Sequence, residues 1–215
     1  MTRLESEKIL KNKFKIDCFY DTQWLVIQKI LNGDRVLLIE KTGFGKSLCF
    51  QFPALFFEGT TIVFTPLIAL MRDQVNKLNE LGIKAKCINS NQDSETNTRI
   101  ITEALNNEIK ILYIAPERME NIEWLNSARQ MNISMIVVDE AHCISTWGHD
   151  FRPAYKRIVN LVNLLPKSFP VLATTATATK AVEEDIKIQI GKNIFSYRGN
   201  LIRTNFQLFV IKVTR

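Results

Sequence analysis

Short apolar runs rich in β-branched residues alternate along this chain with longer segments in which apolar positions recur at helical spacing. The run Val36-Leu37-Leu38-Ile39 is apolar without interruption, which is typical of a strand buried on both faces. The pattern predicts strands over residues 35–39, 61–65, 84–88, 109–115, 133–138, 170–174 and 206–213.

The amphipathic segments between these runs predict helices. The first begins at Asp21 or Thr22 and ends at Asn32-Gly33, and another begins at Pro66 and is closed by Gly82. Further helices are predicted over residues 47–57, 94–106, 122–131, 153–165 and 179–190. Strands that alternate with helices indicate an α/β fold with a mostly parallel sheet and helices on both faces.

Composition agrees with one globular domain and narrows its class. The 215 residues are 46% hydrophobic and 23% charged, which excludes a disordered or fibrous chain. No apolar run approaches the roughly 20 residues of a membrane-spanning helix, and no apolar signal region follows Met1. We therefore expect no membrane partner and a cytoplasmic location. The net charge of +6 only mildly favours a polyanionic partner.

A phosphate-binding loop is predicted between the first strand and the helix after it. This junction carries the pattern T-G-x-G-K-S over residues Thr42, Gly43, Phe44, Gly45, Lys46 and Ser47. The glycines let successive N–H groups face one hollow, Lys46 can reach the β- and γ-phosphates, and Ser47 can ligate Mg²⁺. The strict pattern has Gly at position 40, where this chain has Glu.

A second acidic element follows the predicted strand 133–138. Asp139 and Glu140 lie where that strand ends, which is the edge at which parallel sheets bind ligands. Asp139 is predicted to hold Mg²⁺, and Glu140 to polarise the attacking water. His142, Cys143 and His149 offer metal-ligating side chains, but they lack the fourth ligand of a structural zinc site.

Residues 139–153, DEAHCISTWGHDFRP, resemble the RecQ family of DNA helicases, whose pattern DEAHCISQWGHDFRP differs only at Thr146. Residues 42–51 are similar to the family's TGGGKSLCYQ, and residues 65–75 to its SPLISLMQDQV. YxxPERM at residues 113–119 and ATTATA at residues 173–178 follow in the family's order. The resemblance covers nearly the whole chain.

The resemblance implies a RecA-like P-loop ATPase lobe of a superfamily 2 helicase that uses ATP and Mg²⁺ to move 3′ to 5′ on single-stranded DNA. It implies that His142 links the nucleotide site to Thr175-Ala176-Thr177. It also implies that the stretch from Trp147 to Arg152 is the family's DNA-sensing aromatic loop. Candidate DNA contacts are Thr65, Arg72, Arg118, Trp147, His149, Phe151, Arg152, Thr175 and Thr177.

The chemistry of the aromatic stretch supports this role independently. Trp147 and Phe151 can stack on bases, and Arg152 can contact a phosphate. The alternative is that both aromatic rings are core residues.

The adenine end departs from the family pattern FRPxQ. Gln23 is kept and is expected to read the adenine edge, whereas Tyr20 replaces the family's arginine and could stack on the base. The alternative places Gln23 on an exposed helix face.

We expect three regions: a helical segment with the adenine motif at 1–33, the RecA-like lobe at 34–200, and the start of a connection to a second lobe at 201–215. RecQ-like motors need that second RecA-like lobe, so we expect this chain to be the N-terminal lobe of a longer, monomeric helicase. Alone, it should bind ATP–Mg²⁺ weakly and hydrolyse it barely. The alternatives are a non-catalytic ATP- or DNA-binding module and a DEAD/DEAH-type RNA helicase lobe.

Overall fold

In the described part of the chain, seven parallel strands form one sheet at the centre of the fold, with the order β3-β4-β2-β5-β6-β1-β7. The computed structural model describes residues 1–148, 150–191 and 194–201. The strands are β1 (Arg35–Ile39), β2 (Thr60–Phe64), β3 (Ala85–Ile88), β4 (Ile111–Ile114), β5 (Ile133–Val138), β6 (Val171–Thr175) and β7 (Phe195–Arg198).

Eight α-helices in the described part of the chain cover the sheet. Short 3₁₀ helices also follow β4 (Pro116–Glu120) and β5 (Ala141–Ile144). The α-helices are α1 (Arg3–Phe14), α2 (Asp21–Leu31), α3 (Leu48–Ala54), α4 (Ile68–Glu80), α5 (Ser94–Leu105), α6 (Ile122–Ala128), α7 (Pro153–Leu164) and α8 (Lys180–Ile190).

The sheet is buried on both faces, and successive residues of one strand belong to opposite cores. In β1, Val36 and Leu38 pack with residues of α1 to α4, whereas Leu37 and Ile39 pack with residues of α5 to α8. This two-sided burial explains why the strands are apolar throughout, and it confirms the predicted α/β class.

The described elements match most predicted ones to within a few residues. Prediction missed α1, although Thr2 and Glu5 form a capping box that marks its start. It also missed β7, which is a half-buried edge strand of four residues with polar Ser196 and Arg198. The helix predicted over residues 47–57 is shorter, since α3 ends at Ala54. The predicted strand 206–213 lies outside the described residues.

No helix in the described ranges combines the length and hydropathy that crossing a bilayer requires.

Candidate active site

The predicted phosphate loop and the acidic pair meet at the carboxyl edge of the sheet. The loop follows β1, Asp139 follows β5, and Thr175 ends β6, which lies between those two strands. The Glu40 N–H donates to the Thr175 carbonyl over 3.1 Å, and the Asp139 N–H donates to the Phe64 carbonyl over 2.9 Å. Parallel pairing therefore brings together three segments that are far apart in sequence.

Two glycines shape the phosphate loop. Gly43 and Gly45 have φ angles of +84° and +86°, in the left-handed region that favours glycine. A β-carbon at Gly45 would lie 2.7 Å from Nε2 of Gln23, whereas one at Gly43 would meet nothing within 4 Å. Conformation thus favours glycine at both positions, and at Gly45 a side chain would also have to displace the amide of Gln23.

Lys46 lies folded against the loop that carries it. Its Nζ donates to the carbonyl of Glu40 over 2.7 Å and to that of Lys41 over 3.2 Å. Burial lowers the pKa of Lys46, while the negative charges of Asp139 and Glu140 oppose that shift. Two carbonyl groups and the nearby carboxylates thus hold the Lys46 ammonium at the loop. Phosphate oxygens bound in the loop can replace the carbonyl groups as its partners.

Asp139 is a partly buried carboxylate held by two hydroxyl groups. Thr174 Oγ1 donates to its Oδ1 over 2.6 Å, and Thr65 Oγ1 donates to its Oδ2 over 3.3 Å. Burial raises the pKa of Asp139, and the bond from Thr174 opposes that rise. Among the described residues no cation forms an ion pair with it. A partly buried carboxylate without a cationic partner suits a divalent metal ion.

The sequence predicts no role at the metal site for two residues that hydrogen-bond to Asp139. Thr174 belongs to the ATTATA stretch, but only the pairing of β5 with β6 brings it to the carboxylate. Tyr155 of α7 donates its hydroxyl to the Asp139 carbonyl over 2.9 Å. Thr65, a predicted DNA contact, is buried and directs its hydroxyl to this carboxylate.

His142 lies between Glu140 and the end of β6. Its Nδ1 is 2.9 Å from Thr175 Oγ1, 3.4 Å from Thr177 Oγ1 and 3.2 Å from Glu140 Oε2. Glu140 itself has a φ of +50°, which turns the chain sharply after Asp139. The arrangement makes the contact between His142 and residues 175–177 that the resemblance implies.

The adenine motif is joined to the phosphate loop through Gln23. The Gln23 side chain is only 4% exposed, so the alternative of an exposed position is wrong. Its Oε1 accepts from the Tyr20 N–H over 2.9 Å, and its Nε2 donates to the Phe44 carbonyl over 3.0 Å. The exposed Tyr20 ring lies 5.7 Å from the Phe44 ring, centroid to centroid, which leaves aromatic faces for a base.

The aromatic stretch after the acidic pair is open to solvent. Trp147 is 76% exposed and Phe151 is 39% exposed, so the alternative that both are core residues is wrong. Arg152 pairs with Asp150 over 3.3 Å and approaches Glu117 at 4.0 Å. His149 lies outside the described residues. Among the described residues, His142, Cys143 and Asp150 form a group whose possible metal-ligating atoms lie within 4.8 Å of one another.

The other described candidate DNA contacts differ in their exposure and in their partners. Arg72 is exposed on α4, which follows β2, and Thr177 is exposed after β6. Arg118 donates its Nη2 to the Asn89 carbonyl over 3.0 Å. Thr175 is buried, so its hydroxyl serves His142 rather than a solvent-facing surface.

The sequence profile described as DEAD/DEAH box helicase matches residues 20–185, which is most of the chain. The chain belongs to this family. Within it, the chain is similar to the ATP-dependent DNA helicase RecQ of Bacillus subtilis, with 44% identity over 210 residues. It is also similar to that of Haemophilus influenzae, with 40% identity over 200 residues. These matches confirm the resemblance to RecQ.

The matches cover 96% and 93% of this chain but only 35% and 32% of the two relatives. The chain therefore spans about a third of the length of the curated relatives that it matches. Among solved structures, the helicase MrfA bound to DNA matches with a TM-score of 0.69 and 20% identity, over 92% of this chain and 30% of that one. That likeness shows the fold, which is the predicted RecA-like helicase lobe.

Proposed function

We propose that this chain is the ATP-binding lobe of a RecQ-like ATP-dependent DNA helicase, which couples ATP hydrolysis to 3′-to-5′ movement on single-stranded DNA and to unwinding. The observation that carries the proposal is the convergence of Lys46, Asp139 and Glu140 at one edge of the sheet, with the exposed Trp147 on the same connection as Asp139. One segment thus contributes both to a nucleotide site and to a surface suited to bases.

The phosphate loop and the acidic pair divide the ATPase chemistry. Lys46 binds the β- and γ-phosphate oxygens, and Thr42, Gly43, Phe44 and Gly45 supply loop N–H groups. Ser47 and Asp139 hold Mg²⁺, whose charge offsets that of the phosphates. The residues fit this ion, because Asp139 lacks a cationic partner and the Ser47 hydroxyl has no hydrogen-bond partner within the described ranges. Glu140 orients the attacking water and accepts its proton.

The remaining contacts connect nucleotide and DNA. Gln23 hydrogen-bonds the adenine edge, and its bond to the Phe44 carbonyl couples it to the conformation of the phosphate loop. Tyr20 stacks on the base. His142 contacts Glu140, Thr175 and Thr177, and so couples the position of Glu140 to the residues after β6. Trp147 and Phe151 stack on bases at about 1–3 kcal/mol each, and Arg152 contacts phosphate. Arg72, Arg118 and His149 remain proposed DNA contacts, whereas the buried Thr65 contacts Asp139 and is no longer one.

A second RecA-like lobe is the proposed partner of this one. Arginine fingers supplied across such a cleft contribute about 10³–10⁵ in rate. The whole helicase is proposed to act as a monomer on single-stranded or partly duplex DNA in the cytoplasm, in a bacterium at the nucleoid.

ATP turnover with and without nucleic acid tests the proposal. The chain should bind Mg²⁺–ATP and turn it over barely, and E140Q should keep binding while abolishing the residual hydrolysis. Single-stranded DNA should bind better than RNA of the same sequence, and W147A should weaken DNA binding. Equal binding of RNA and DNA would favour the RNA helicase alternative. Undiminished turnover in E140Q would contradict the role of Glu140.

A further inference from the structure

The backbone of the aromatic stretch is tied to α8 through a buried serine. Ser145 is 0% exposed, and its Oγ donates to Oδ2 of Asp185 over 2.6 Å. The same Oγ accepts the N–H of Trp147 over 3.2 Å. The hydroxyl therefore lies between the α8 carboxylate and the main chain of Trp147.

Asp185 determines the direction in which the Ser145 hydroxyl donates its hydrogen bond. A serine hydroxyl has one proton to donate, and a short O–H···O⁻ bond is among the stronger hydrogen bonds in proteins. Because the proton is committed to Asp185, a lone pair of Oγ is left for the Trp147 N–H. Without the carboxylate, the hydroxyl can rotate and offer its proton elsewhere.

Both oxygens of the Asp185 carboxylate serve the same segment. Oδ1 accepts from Nε2 of Gln189 over 3.0 Å, and that Nε2 also lies 3.4 Å from the Ile144 carbonyl. In the part of the chain that the structure describes, no Lys, Arg or His forms an ion pair with Asp185. Its hydrogen-bond partners are Ser145 and Gln189, and Gln189 also contacts the Ile144 carbonyl.

A second tether holds the other end of the segment to the residues between β6 and α8. His142 Nδ1 contacts the hydroxyls of Thr175 and Thr177, which lie just before α8. The α8 N-cap is Thr179, only two residues further along the chain. A rigid-body shift of α8 together with the residues before it would therefore act on the segment 142–147 at both ends.

We propose that Asp185 is a positioning residue for the DNA-sensing stretch: by orienting the Ser145 hydroxyl it fixes the Trp147 backbone, so that movements at Thr175 and Thr177 are transmitted to the aromatic side chains. This inference rests on the proposed function in its link to DNA. The anchoring itself can be measured without DNA.

Amide hydrogen exchange at Trp147, measured by NMR on the chain, tests the anchor. D185A keeps the Ser145 hydroxyl but removes the carboxylate that orients it and that also holds Gln189, so exchange at Trp147 should accelerate about tenfold. S145A should accelerate it similarly, and the double variant should add nothing further. D185N keeps an oxygen acceptor and should restore part of the protection. E184A, one residue away on the exposed face of α8, should leave the exchange unchanged.

Affinity for single-stranded DNA provides the second readout. D185A should weaken DNA binding at least about threefold while Mg²⁺–ATP binding is unchanged, because Asp185 and Ser145 lie outside the phosphate loop. Unchanged exchange at Trp147 in D185A, or equal acceleration in E184A, would overturn the anchor. Faster exchange with unaltered DNA affinity would overturn the positioning role. A chain that shows the exchange effect but never binds DNA would refute the proposed function and leave the anchor standing.

Discussion

Glu40 and Gly199 face each other at the ends of the paired strands β1 and β7. Ile39 is paired with Arg198, and the Gly199 N–H donates to the Ile39 carbonyl over 2.9 Å. A β-carbon on residue 199 would overlap the carboxylate of Glu40, which is itself buried. The unusual glutamate at the start of the phosphate loop is thus accommodated by a glycine on the neighbouring strand.

G199A should therefore lower the free energy of unfolding by about 1–3 kcal/mol, since the carboxylate must move or the strand must shift. The double variant E40A/G199A removes the overlap and should recover most of that loss. Urea unfolding of the four proteins in this cycle measures the coupling. If E40A leaves the cost of G199A unchanged, the two residues do not constrain each other.

The two loop glycines should respond differently to substitution. G43A and G45A both place a side chain at positive φ, which costs about 1–2 kcal/mol. Only G45A also drives a methyl group into Gln23 Nε2 and so threatens its bond to the Phe44 carbonyl. We expect G45A to be the more destabilising variant in thermal unfolding and to weaken ATP binding more. Equal losses for both variants would argue against a steric role for Gln23.

Glu183 should make stability depend on pH. Burial raises the pKa of Glu183, but hydrogen bonds from Arg198, Ser196 and Lys187 outweigh it and lower the pKa below 4.5. The stabilisation is therefore present above pH 4.5 and is lost as the pH falls through the lower, folded-state pKa.

E183Q should cost about 1 kcal/mol at pH 7, and the difference from the unmodified chain should shrink when unfolding is measured near pH 3. E184Q, at the exposed neighbouring position, is the matched control and should show little change at either pH. A cost of E183Q that is the same at both pH values would contradict the charged role of Glu183, which ties β7 to α8.

Local patterns predicted the fold class and the phosphate loop because both depend on residues close in sequence. Buried strands were recognisable by continuous apolar runs, and T-G-x-G-K-S identifies its own turn. Prediction failed where partners are distant. Thr174 reaches Asp139, and Asp185 reaches Ser145, only because of the strand order, which periodicity does not specify. The sequence left two positions open for Gln23, a site residue or an exposed helix face, because its contact with Phe44 joins residues 21 positions apart.

Binding of Mg²⁺–ATP to the purified chain, compared with K46A and K84A, tests the central claim most directly. Lys84 is an exposed lysine just before β3, at the opposite edge of the sheet from Lys46. The chain and K84A should bind labelled ATP saturably and with equal affinity. K46A should bind it at least about tenfold more weakly, because a charge-assisted contact to phosphate is lost. Equal binding by all three proteins would contradict the assignment of this lobe as the ATP site of a helicase.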